Sequence, residues 1–483
     1  MTLDYIELHA AERPDAVAFV DNGRAITYRR FGRDVRKMMT ALQGFGLTHG
    51  AWVGVGVAHA HQYLHWVMLL ALDRLGIASV SLFAKESPDA YRIFARLSLV
   101  ISGWEFPHAP ITRHHAITPE WLKEVHALPE IDDNGLPAKS GNDIVRILRT
   151  TGTTGEPKVI RSPRRTLEAW ADCWAWKLGL SERSRFLLTL PLEVNTIYTL
   201  AIGALRAGST VIFETRVHLA VAMSEHAITD VCLFPIDLKA VLDTLPQGYV
   251  KPRNLAITTF GAIVSDDLRA DVTARLASTL YDDYGTREVG YVSRIACGGR
   301  LFGMVSPNVQ VEVIDERGAV LPFGQVGRLK IKSPFMHTEY FEDPETSREA
   351  FQGGWFVSSD LAVLHGPRRL QIMGRSDEAL NIGGRKWAPE VIESGLQSAI
   401  NARDVGVFSV SNPNGSEEIW VAVADTPVDD KELWARIEPS LSLQFVRLHI
   451  VRLPAIPRNH GGKVQRNLLK QAVAQVPEIP RPV

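Results

Sequence analysis

The sequence contains little cysteine and no excess of charge of either sign. Its 483 residues include three cysteines, 53 basic and 54 acidic side chains, which gives a formal net charge of −1. Cys173, Cys232 and Cys297 are odd in number and far apart, so they match neither a disulfide framework nor a metal-ligand spacing. We expect reduced thiols, which fits a reducing compartment. The balanced charge gives no support to binding of nucleic acid or of an anionic membrane.

Long hydrophobic runs are also missing. The most apolar early stretch, residues 66–82, is broken by Asp73 and Arg74, whereas a membrane-spanning helix needs about 20 nearly uninterrupted apolar residues. The N-terminus, Met1-Thr2-Leu3-Asp4, lacks the basic region and apolar core of a signal peptide. From these absences we predict a cytoplasmic protein without a membrane span.

Strand and helix patterns alternate through the first 260 residues. Residues 28–45 have helical spacing, and their apolar face is formed by Phe31, Val35, Met38, Met39 and Leu42. Short apolar runs separated by further helical patterns indicate strands at residues 52–57, 78–82, 186–190, 210–213, 231–234 and 255–259. Residues 106–133, with scattered Pro and His, are interpreted as an irregular connection. The alternation favours mostly parallel sheets covered by helices.

The pattern changes near residue 301. Residues 309–314 and 327–331 alternate apolar and polar side chains around a turn at residues 315–318, which is typical of antiparallel strand pairs. A final segment contains strand patterns at residues 405–410 and 419–423 and a helical pattern at residues 431–443. This segment has about the size of a small α+β domain.

A run rich in Gly and Thr follows the apolar residues 144–148: Thr150, Thr151, Gly152, Thr153, Thr154, Gly155, Glu156, Pro157 and Lys158. Glycine allows close approach of the backbone to a ligand, and successive N–H groups can form an anion-binding concavity. The threonine hydroxyls and Lys158 add donors and charge, which suits a triphosphate. Taken alone, such a run is more often an ordinary polar turn. A triphosphatase P-loop is excluded, because Glu156-Pro157 separates the last Gly from the Lys.

The run resembles the phosphate-binding signature of the adenylate-forming superfamily, which includes acyl- and aryl-CoA synthetases, firefly luciferases and the adenylation domains of peptide synthetases. Later segments match further motifs of this family in the expected order, and the similarity covers almost the whole chain. The resemblance implies that ATP and Mg²⁺ convert a carboxylic acid into an acyl-adenylate. A thiol then attacks the acyl carbon, and AMP leaves.

Residues 282–288, Asp-Asp-Tyr-Gly-Thr-Arg-Glu, resemble the aromatic-Gly-x-Thr-Glu motif of the family. The resemblance implies that Tyr284 stacks on the adenine and that Asp282 contacts the adenine amino group. Glu288 is implied to hold the magnesium ion, for which carboxylate oxygen is a suitable ligand. Gly285 is the glycine of the motif.

Two positions near this motif leave alternatives open. Arg287 replaces the family's phosphate-contacting Thr, and Thr286 lies one place earlier. Arg287 either supplies charge to the α-phosphate or points away. Gly261 and Ala262, in the segment Phe260-Gly261-Ala262, resemble the Gly-Gly-Ala segment that lies along the adenine; a strand-end turn is the alternative.

Three further motifs complete the resemblance. Residues 355–360 end in Asp360, which is implied to accept hydrogen bonds from both ribose hydroxyls. In residues 374–378, Arg375 is implied to reach the ribose or the phosphates, and Asp377 to be the hinge about which the C-terminal domain rotates. Lys386 stands at the family's next basic position, and a charged solvated linker is the alternative reading of this region.

The last motif, residues 457–466, resembles Pro-Arg/Lys-x-x-x-Gly-Lys-x-x-Arg and carries Lys463. In the family this lysine enters the active-site cleft during adenylation. The catalytic residues implied by the resemblance are therefore Lys463, Glu288 and Lys158.

The patterns and the resemblance together predict an α/β fold with two domains. Residues 1–374 form a large N-terminal adenylation core of mostly parallel, helix-covered sheets plus a small β-barrel-like part, which binds ATP and the acid. Residues 375–483 form a small, mobile C-terminal α+β domain.

The identity of the acid depends on residues 190–195, where the family often has Leu-Pro-x-x-His. Val194 replaces the His, whose side chain lines the acid pocket in the family, so the choice of acid is unusual. Asn195 stands where some members that activate hydroxybenzoates carry Asn, which slightly favours an aromatic acid. An Asn that caps the following helix is the alternative.

Three functions are compatible with these motifs. The first is a free-standing ligase that joins an acid to CoA. The second is a stand-alone adenylating enzyme that loads the phosphopantetheine of a carrier protein in trans, since no carrier domain follows before Val483. The third is a nucleotide-binding protein that has lost catalysis, against which Lys463, Glu288 and Asp360 argue.

Overall fold

The computed structural model describes the chain except for residues 84–90, 107–108, 112, 133–135, 137, 150–157, 216, 262–263, 296–301, 377–379, 383–384, 388, 412–416, 442–446, 460–461 and 483. Within the described residues, no helix combines the length and the apolar character that crossing a membrane requires.

Helices and strands alternate along the first part of the chain, as predicted. The helices are α1 (Thr2–Glu12), α2 (Tyr28–Gln43), α3 (Gln62–Arg74), α4 (Tyr91–Phe94), α5 (Pro119–Ala127), α6 (Arg164–Leu178), α7 (Asn195–Arg206), α8 (Leu219–Glu225), α9 (Pro235–Asp243), α10 (Asp266–Arg275), α11 (Pro344–Ala350), α12 (Pro389–Ala399), α13 (Asp430–Leu441) and α14 (Arg466–Val473).

The strands are β1 (Val17–Asp21), β2 (Arg24–Thr27), β3 (Trp52–Gly56), β4 (Ala78–Ser81), β5 (Leu99–Ser102), β6 (His114–Ala116), β7 (Ile144–Arg149), β8 (Val159–Pro163), β9 (Arg185–Leu187), β10 (Thr210–Phe213), β11 (Asp230–Leu233), β12 (Ala256–Phe260), β13 (Thr279–Thr286), β14 (Gly290–Ile295), β15 (Gly303–Val305), β16 (Gln310–Ile314), β17 (Val326–Lys332), β18 (Phe351–Gln352), β19 (Trp355–Leu364), β20 (Arg369–Arg375), β21 (Leu380–Ile382), β22 (Arg385–Trp387), β23 (Asp404–Ser411), β24 (Glu417–Ala424) and β25 (Arg447–Arg452).

The chain divides into two compact units. Unit 1 comprises Met1–Cys232, Leu245–Ala256 and Phe335–Arg348, and unit 2 comprises Leu233–Thr244, Ile257–Pro334 and Glu349–Val483. The predicted boundary between residues 374 and 375 stays a prediction.

Unit 1 contains mostly parallel strands. One sheet has the order β6-β5-β3-β4-β7-β8, in which the β7–β8 pair is antiparallel and the other pairs are parallel. The order β11-β9-β10-β1-β2 is likewise parallel except for β1–β2. The predicted apolar face of α2 is buried, and Thr27 caps this helix by accepting a hydrogen bond from the Arg30 amide at 3.2 Å. The predicted α/β class is confirmed.

Unit 2 is dominated by antiparallel strands in the order β16-β17-β19-β20-β15-β14-β13-β12. A second sheet, β23-β24-β25, buries apolar side chains on both faces, because successive side chains of a strand point to opposite sides. Val405 packs with Leu396 of α12 on one face, and Phe408 packs with Leu469 of α14 on the other.

The interpretation of residues 106–133 as irregular is wrong in part. These residues include strand β6, which pairs with β5, and helix α5. Thr118 accepts a hydrogen bond from the Trp121 amide at 3.1 Å, and Pro119 occupies the first turn. A Thr followed by Pro is a helix-start signal, because Pro has no N–H to leave unsatisfied there.

Candidate active site

Tyr284 of β13 and Asp360 of β19 are in direct contact. The Tyr284 hydroxyl donates a hydrogen bond to Oδ2 of Asp360 at 2.5 Å, and the Ser358 hydroxyl donates to the same oxygen at 2.8 Å. Burial, and then the charge of Asp360, raises the pKa of Tyr284 well above its usual value, so its hydroxyl stays a donor. The contact brings the predicted adenine-stacking ring and the predicted ribose acceptor together.

This contact requires a strongly curved sheet. Three strands, β14, β15 and β20, lie between β13 and β19 in the strand order. At about 4.8 Å per strand, four spacings of a flat sheet would separate them by about 19 Å, which two side chains cannot bridge. The sheet therefore curls back in this region, in agreement with the predicted barrel-like part.

Asp282 joins the two segments that were assigned to the adenine. Its Oδ1 accepts a hydrogen bond from the Thr259 hydroxyl at 3.2 Å, and its Oδ2 accepts one from the Val264 amide at 3.4 Å. Thr259 and Val264 flank the segment that carries Gly261, whose φ of 89° lies in the region that favours glycine. Burial raises the pKa of Asp282 to about 6 against the opposing charge of Arg269. Ala262 lies outside the described residues.

The β13–β14 turn carries the remaining residues of this motif. A Cβ on Gly285 would lie 2.4 Å from the Gly290 carbonyl oxygen, so the close pairing of the two strands requires glycine there. Thr286 accepts a hydrogen bond from the Val289 amide at 3.2 Å and so stabilises the turn that contains Arg287 and Glu288.

The residues present fit a magnesium ion bound mainly through phosphate. In the described part of the chain, His, Cys, Asp and Glu form no group of three or more that could hold a metal ion. Magnesium is usually held by one or two carboxylates together with substrate phosphates and water, rather than by a cage of protein ligands. Glu288, a partly exposed carboxylate in a turn, suits that mode.

Arg375 lies beside Asp360 on the neighbouring strand. The pairing of β19 with β20 places the two residues opposite each other, and the Ser376 amide donates to the Ser359 carbonyl at 2.7 Å. The backbone of Lys386 lies in β22, whereas Asp377 lies outside the described residues. The structure therefore places Arg375 near the predicted ribose acceptor.

Lys463 is exposed on a loop that is held by two hydrogen bonds to Asn459. Its amide donates to the Asn459 side-chain oxygen at 3.1 Å, and its carbonyl accepts from the Asn459 amide at 2.9 Å. Gly462, with a φ of 74°, precedes it. These bonds fix the lysine backbone, and the residue is exposed.

Two partly buried arginine–carboxylate pairs, which the sequence interpretation missed, anchor this loop. Arg458 binds both carboxylate oxygens of Asp404, at 2.5 and 2.9 Å. Arg466 donates to Glu393 at 3.0 Å, and burial raises the pKa of Glu393 to about 7. The arginines lie five residues before and three residues after Lys463, so both ends of the loop are fixed.

The Gly/Thr run of unit 1 joins two antiparallel strands. Arg149 and Val159, at either end, are paired between β7 and β8. Residues 150–157, including Thr150, Thr151, Gly152, Thr153, Thr154 and Gly155, lie outside the described residues. The Lys158 ammonium lies 4.8 Å from the centre of the Tyr340 ring. A P-loop leads into a helix, so the strand that follows agrees with the exclusion of that motif.

Asn195 does not cap α7. The helix begins at Asn195, and the residue before it, Val194, makes no side-chain cap. The Asn195 side chain is 7% exposed, and among the described residues its Oδ1 has no hydrogen-bond partner. An unsatisfied buried amide oxygen costs about 1–3 kcal/mol, so the arrangement is one that a bound donor would improve.

Comparison with known proteins agrees with these motifs. The model of the AMP-binding enzyme family matches residues 6–341. Enterobactin synthase component E of Escherichia coli is 24% identical over 81% of this chain and 78% of that protein. The long-chain-fatty-acid–CoA ligase FadD13 of Mycobacterium tuberculosis is 26% identical over 70% of this chain and 69% of that protein.

A solved structure has the same fold. The o-succinylbenzoate CoA synthetase of Bacillus subtilis, in complex with its acyl-adenylate intermediate, superposes with a TM-score of 0.83 and 19% identity, covering 96% of this chain and 97% of that chain. Because the family model matches well over half of the sequence, the chain belongs to the AMP-binding enzyme family.

Proposed function

We propose that this member of the family uses ATP to activate an aromatic carboxylic acid and transfers the acyl group to the thiol of CoA. The contact between Tyr284 and Asp360 supports nucleotide binding most directly, because it joins an aromatic face to a carboxylate acceptor. Release of AMP and pyrophosphate makes this an AMP-forming acid–thiol ligase.

In the first half-reaction, a carboxylate oxygen of the acid attacks the α-phosphorus of ATP. The bond from that phosphorus to the bridging oxygen breaks, and pyrophosphate leaves. Negative charge on the phosphate oxygens must be stabilised, so positioned cations and donors dominate such catalysis. We assign this role to Lys463, Lys158 and the threonines of residues 150–154.

The other proposed roles concern binding. The Tyr284 ring stacks on the adenine, Asp282 and Gly261 border it, and Asp360 and Arg375 bind the ribose. Glu288 would hold magnesium, which would neutralise phosphate charge. Thr286 supports the turn, and Arg287 lies in the same turn, where its positive charge suits a phosphate.

In the second half-reaction, a thiol sulfur attacks the acyl carbon, the carbon–oxygen bond to the phosphate breaks, and AMP leaves with the bonding electrons. The two half-reactions need different groups at one place, so we propose that the C-terminal residues rotate about Asp377 and withdraw Lys463. Lys386, on the same segment, is assigned to cofactor binding.

The buried Asn195 favours an aromatic acid that carries a hydrogen-bond donor. Its unsatisfied Oδ1 is an acceptor, so the matching substituent is a hydroxyl or an amino group. Val194 has a smaller side chain than the His that the family often carries there, which suits a ring beside the helix start. An alkyl acid would leave the amide oxygen unsatisfied.

Pyrophosphate exchange tests this proposal. The unaltered chain is assayed for acid-dependent exchange of labelled pyrophosphate into ATP, with benzoate, 2-hydroxybenzoate, 2-aminobenzoate and straight-chain acids. Products are then analysed with CoA. Exchange with the substituted benzoates and formation of a CoA thioester support the proposal. Exchange without a thioester would favour carrier loading, and no exchange with any acid would favour a non-catalytic nucleotide binder.

A further inference from the structure

A buried guanidinium contacts the turn that leads to Asn195. Arg146 of β7 is 2% exposed, and its guanidinium lies 4.1 Å from the centre of the Tyr198 ring. Its Nη2 donates to the Leu192 carbonyl at 2.8 Å and to the Ser81 hydroxyl at 3.0 Å. Arg146 thus contacts the chain on both sides of Asn195, at Leu192 before it and at Tyr198 one turn after it.

The backbone of Leu192 makes a second hydrogen bond to a buried side chain. Its amide donates to Oε1 of Gln62 at 3.0 Å, and both Leu192 and Gln62 are fully buried. The two backbone polar groups of Leu192 are therefore satisfied by side chains from two elements, β7 and α3. A turn held in this way has little freedom to shift the helix start that follows it.

The same strand leads into the Gly/Thr run. Arg146 lies four residues before Thr150, and Arg149 donates to the Ser81 carbonyl at 3.1 Å. Ser81, at the end of β4, accepts from Arg146 through its hydroxyl and from Arg149 through its carbonyl. One set of hydrogen bonds thus links β7, the strand that ends just before the phosphate run, to the turn before Asn195.

We infer that Arg146 is a positioning residue. It fixes the position of residues 190–195 relative to β7, the strand that precedes the phosphate run. In-line attack demands that the acid and the α-phosphate keep one alignment, and small displacements of reacting atoms are costly. Arg146 acts through Leu192 and Tyr198 and does not touch the reacting atoms. The inference rests on the proposed function.

Two variants test this role. Arg146→Lys keeps the charge but cannot bind Ser81 and Leu192 in the same geometry, because an ammonium lacks the planar fork. Gln62→Met removes the acceptor of the Leu192 amide at similar volume. Arg164→Lys is the matched control, since Arg164 is a buried arginine of unit 1 that pairs with Asp73 and Asp143 instead.

The measurement is pyrophosphate exchange with the acid that the unaltered chain activates best, together with the thermal midpoint of each variant. We expect the KM for the acid to rise about tenfold in Arg146→Lys and Gln62→Met, corresponding to the loss of one charged or buried hydrogen bond. The KM for ATP stays within about twofold, and Arg164→Lys changes neither KM, as expected for a residue outside these contacts.

The outcomes distinguish failure of the positioning role of Arg146 from failure of the proposed function. Equal increases in both KM values, or a lower thermal midpoint with both KM values unchanged, would overturn the positioning role. If Arg146→Lys does not fold, Gln62→Met decides: a selective rise in the KM for the acid supports the role, and an unchanged KM overturns it. Failure of the unaltered chain to exchange pyrophosphate with any acid would instead overturn the proposed function.

Discussion

The Tyr284 hydroxyl and the Asp360 carboxylate are 2.5 Å apart, although 76 residues separate them along the chain. The bond orients both groups before a nucleotide arrives. A preoriented acceptor costs less conformational entropy on binding, and the aromatic ring beside it is held at the same time.

Removal of the Asp360 carboxylate is expected to weaken ATP binding. In Asp360→Ala, loss of charge-assisted hydrogen bonds to the ribose raises the KM for ATP roughly tenfold to a hundredfold. Tyr284→Phe keeps the ring and has a smaller effect than Tyr284→Ala. Pyrophosphate exchange at varied ATP measures both, with Ser359→Ala as the control. An unchanged KM for ATP in Asp360→Ala would contradict the ribose assignment.

Lys463→Ala is expected to slow the first half-reaction much more than the second. Loss of a cation that stabilises the transition state lowers acyl-adenylate formation by about a hundredfold or more. Attack of the thiol on supplied acyl-adenylate is largely retained. Single-turnover assays of each step measure the split, and Lys431→Ala, at an exposed lysine of the same C-terminal region, serves as the control. Equal losses in both steps would remove Lys463 from its assigned role.

Asn195→Leu is expected to lower the selectivity for the acid and to raise the stability of the fold. The variant loses the acceptor for a substrate hydroxyl or amino group, so the preference for 2-hydroxybenzoate over benzoate falls by about tenfold. Because an unsatisfied buried amide is replaced by an apolar group, the thermal midpoint rises. Competition assays and thermal unfolding check the two effects. A retained preference would show that Asn195 does not contact the substituent.

His65 is expected to make unit 1 sensitive to acid. Burial, and then the charge of Arg146, lowers the pKa of His65 to about 3, whereas the unfolded chain has the usual value near 6.5. Between these values the unfolded state binds more protons, so stability is complete above pH 6.5 and falls as the pH decreases. The slope reaches about 1.4 kcal/mol per pH unit for one proton.

The measurement compares the thermal midpoints of the unaltered chain and of His65→Gln between pH 7.5 and 5, which is roughly the upper part of this window. Glutamine can still bond the Ser81 hydroxyl, which lies 3.2 Å from the His65 ring nitrogen, but it does not titrate. The variant should therefore lose less of its midpoint on acidification. Parallel curves for the two proteins would contradict the assignment.

Local patterns predicted much of the fold. The run at residues 210–213 has the same bounds as β10, and the turn at residues 315–318 directly follows β16, where the Asp315 side chain accepts hydrogen bonds from the Arg317 and Ala319 amides. Such elements depend on neighbouring residues, so a sequence pattern contains the necessary information. Helix α5 was missed because it buries little beyond Val125, which leaves a weak apolar period.

Long-range contacts could not be predicted in this way. Asp282 was assigned to adenine contact, and its bonds to Thr259 and Val264 add a structural role that no spacing indicated. Arg146 was not identified from the sequence, in which residues 144–148 were interpreted as an apolar strand. Its partners Ser81 and Leu192 lie 65 and 46 residues away, so the tertiary fold alone reveals the contact.

Acid-dependent exchange of labelled pyrophosphate into ATP by the full chain, with magnesium and a panel of carboxylic acids, tests the central claim most directly. The account predicts exchange that depends on an added acid, is strongest with benzoates carrying a hydroxyl or amino group, and is lost in Lys463→Ala. Absence of exchange with every acid, from a chain that still binds ATP, would contradict it.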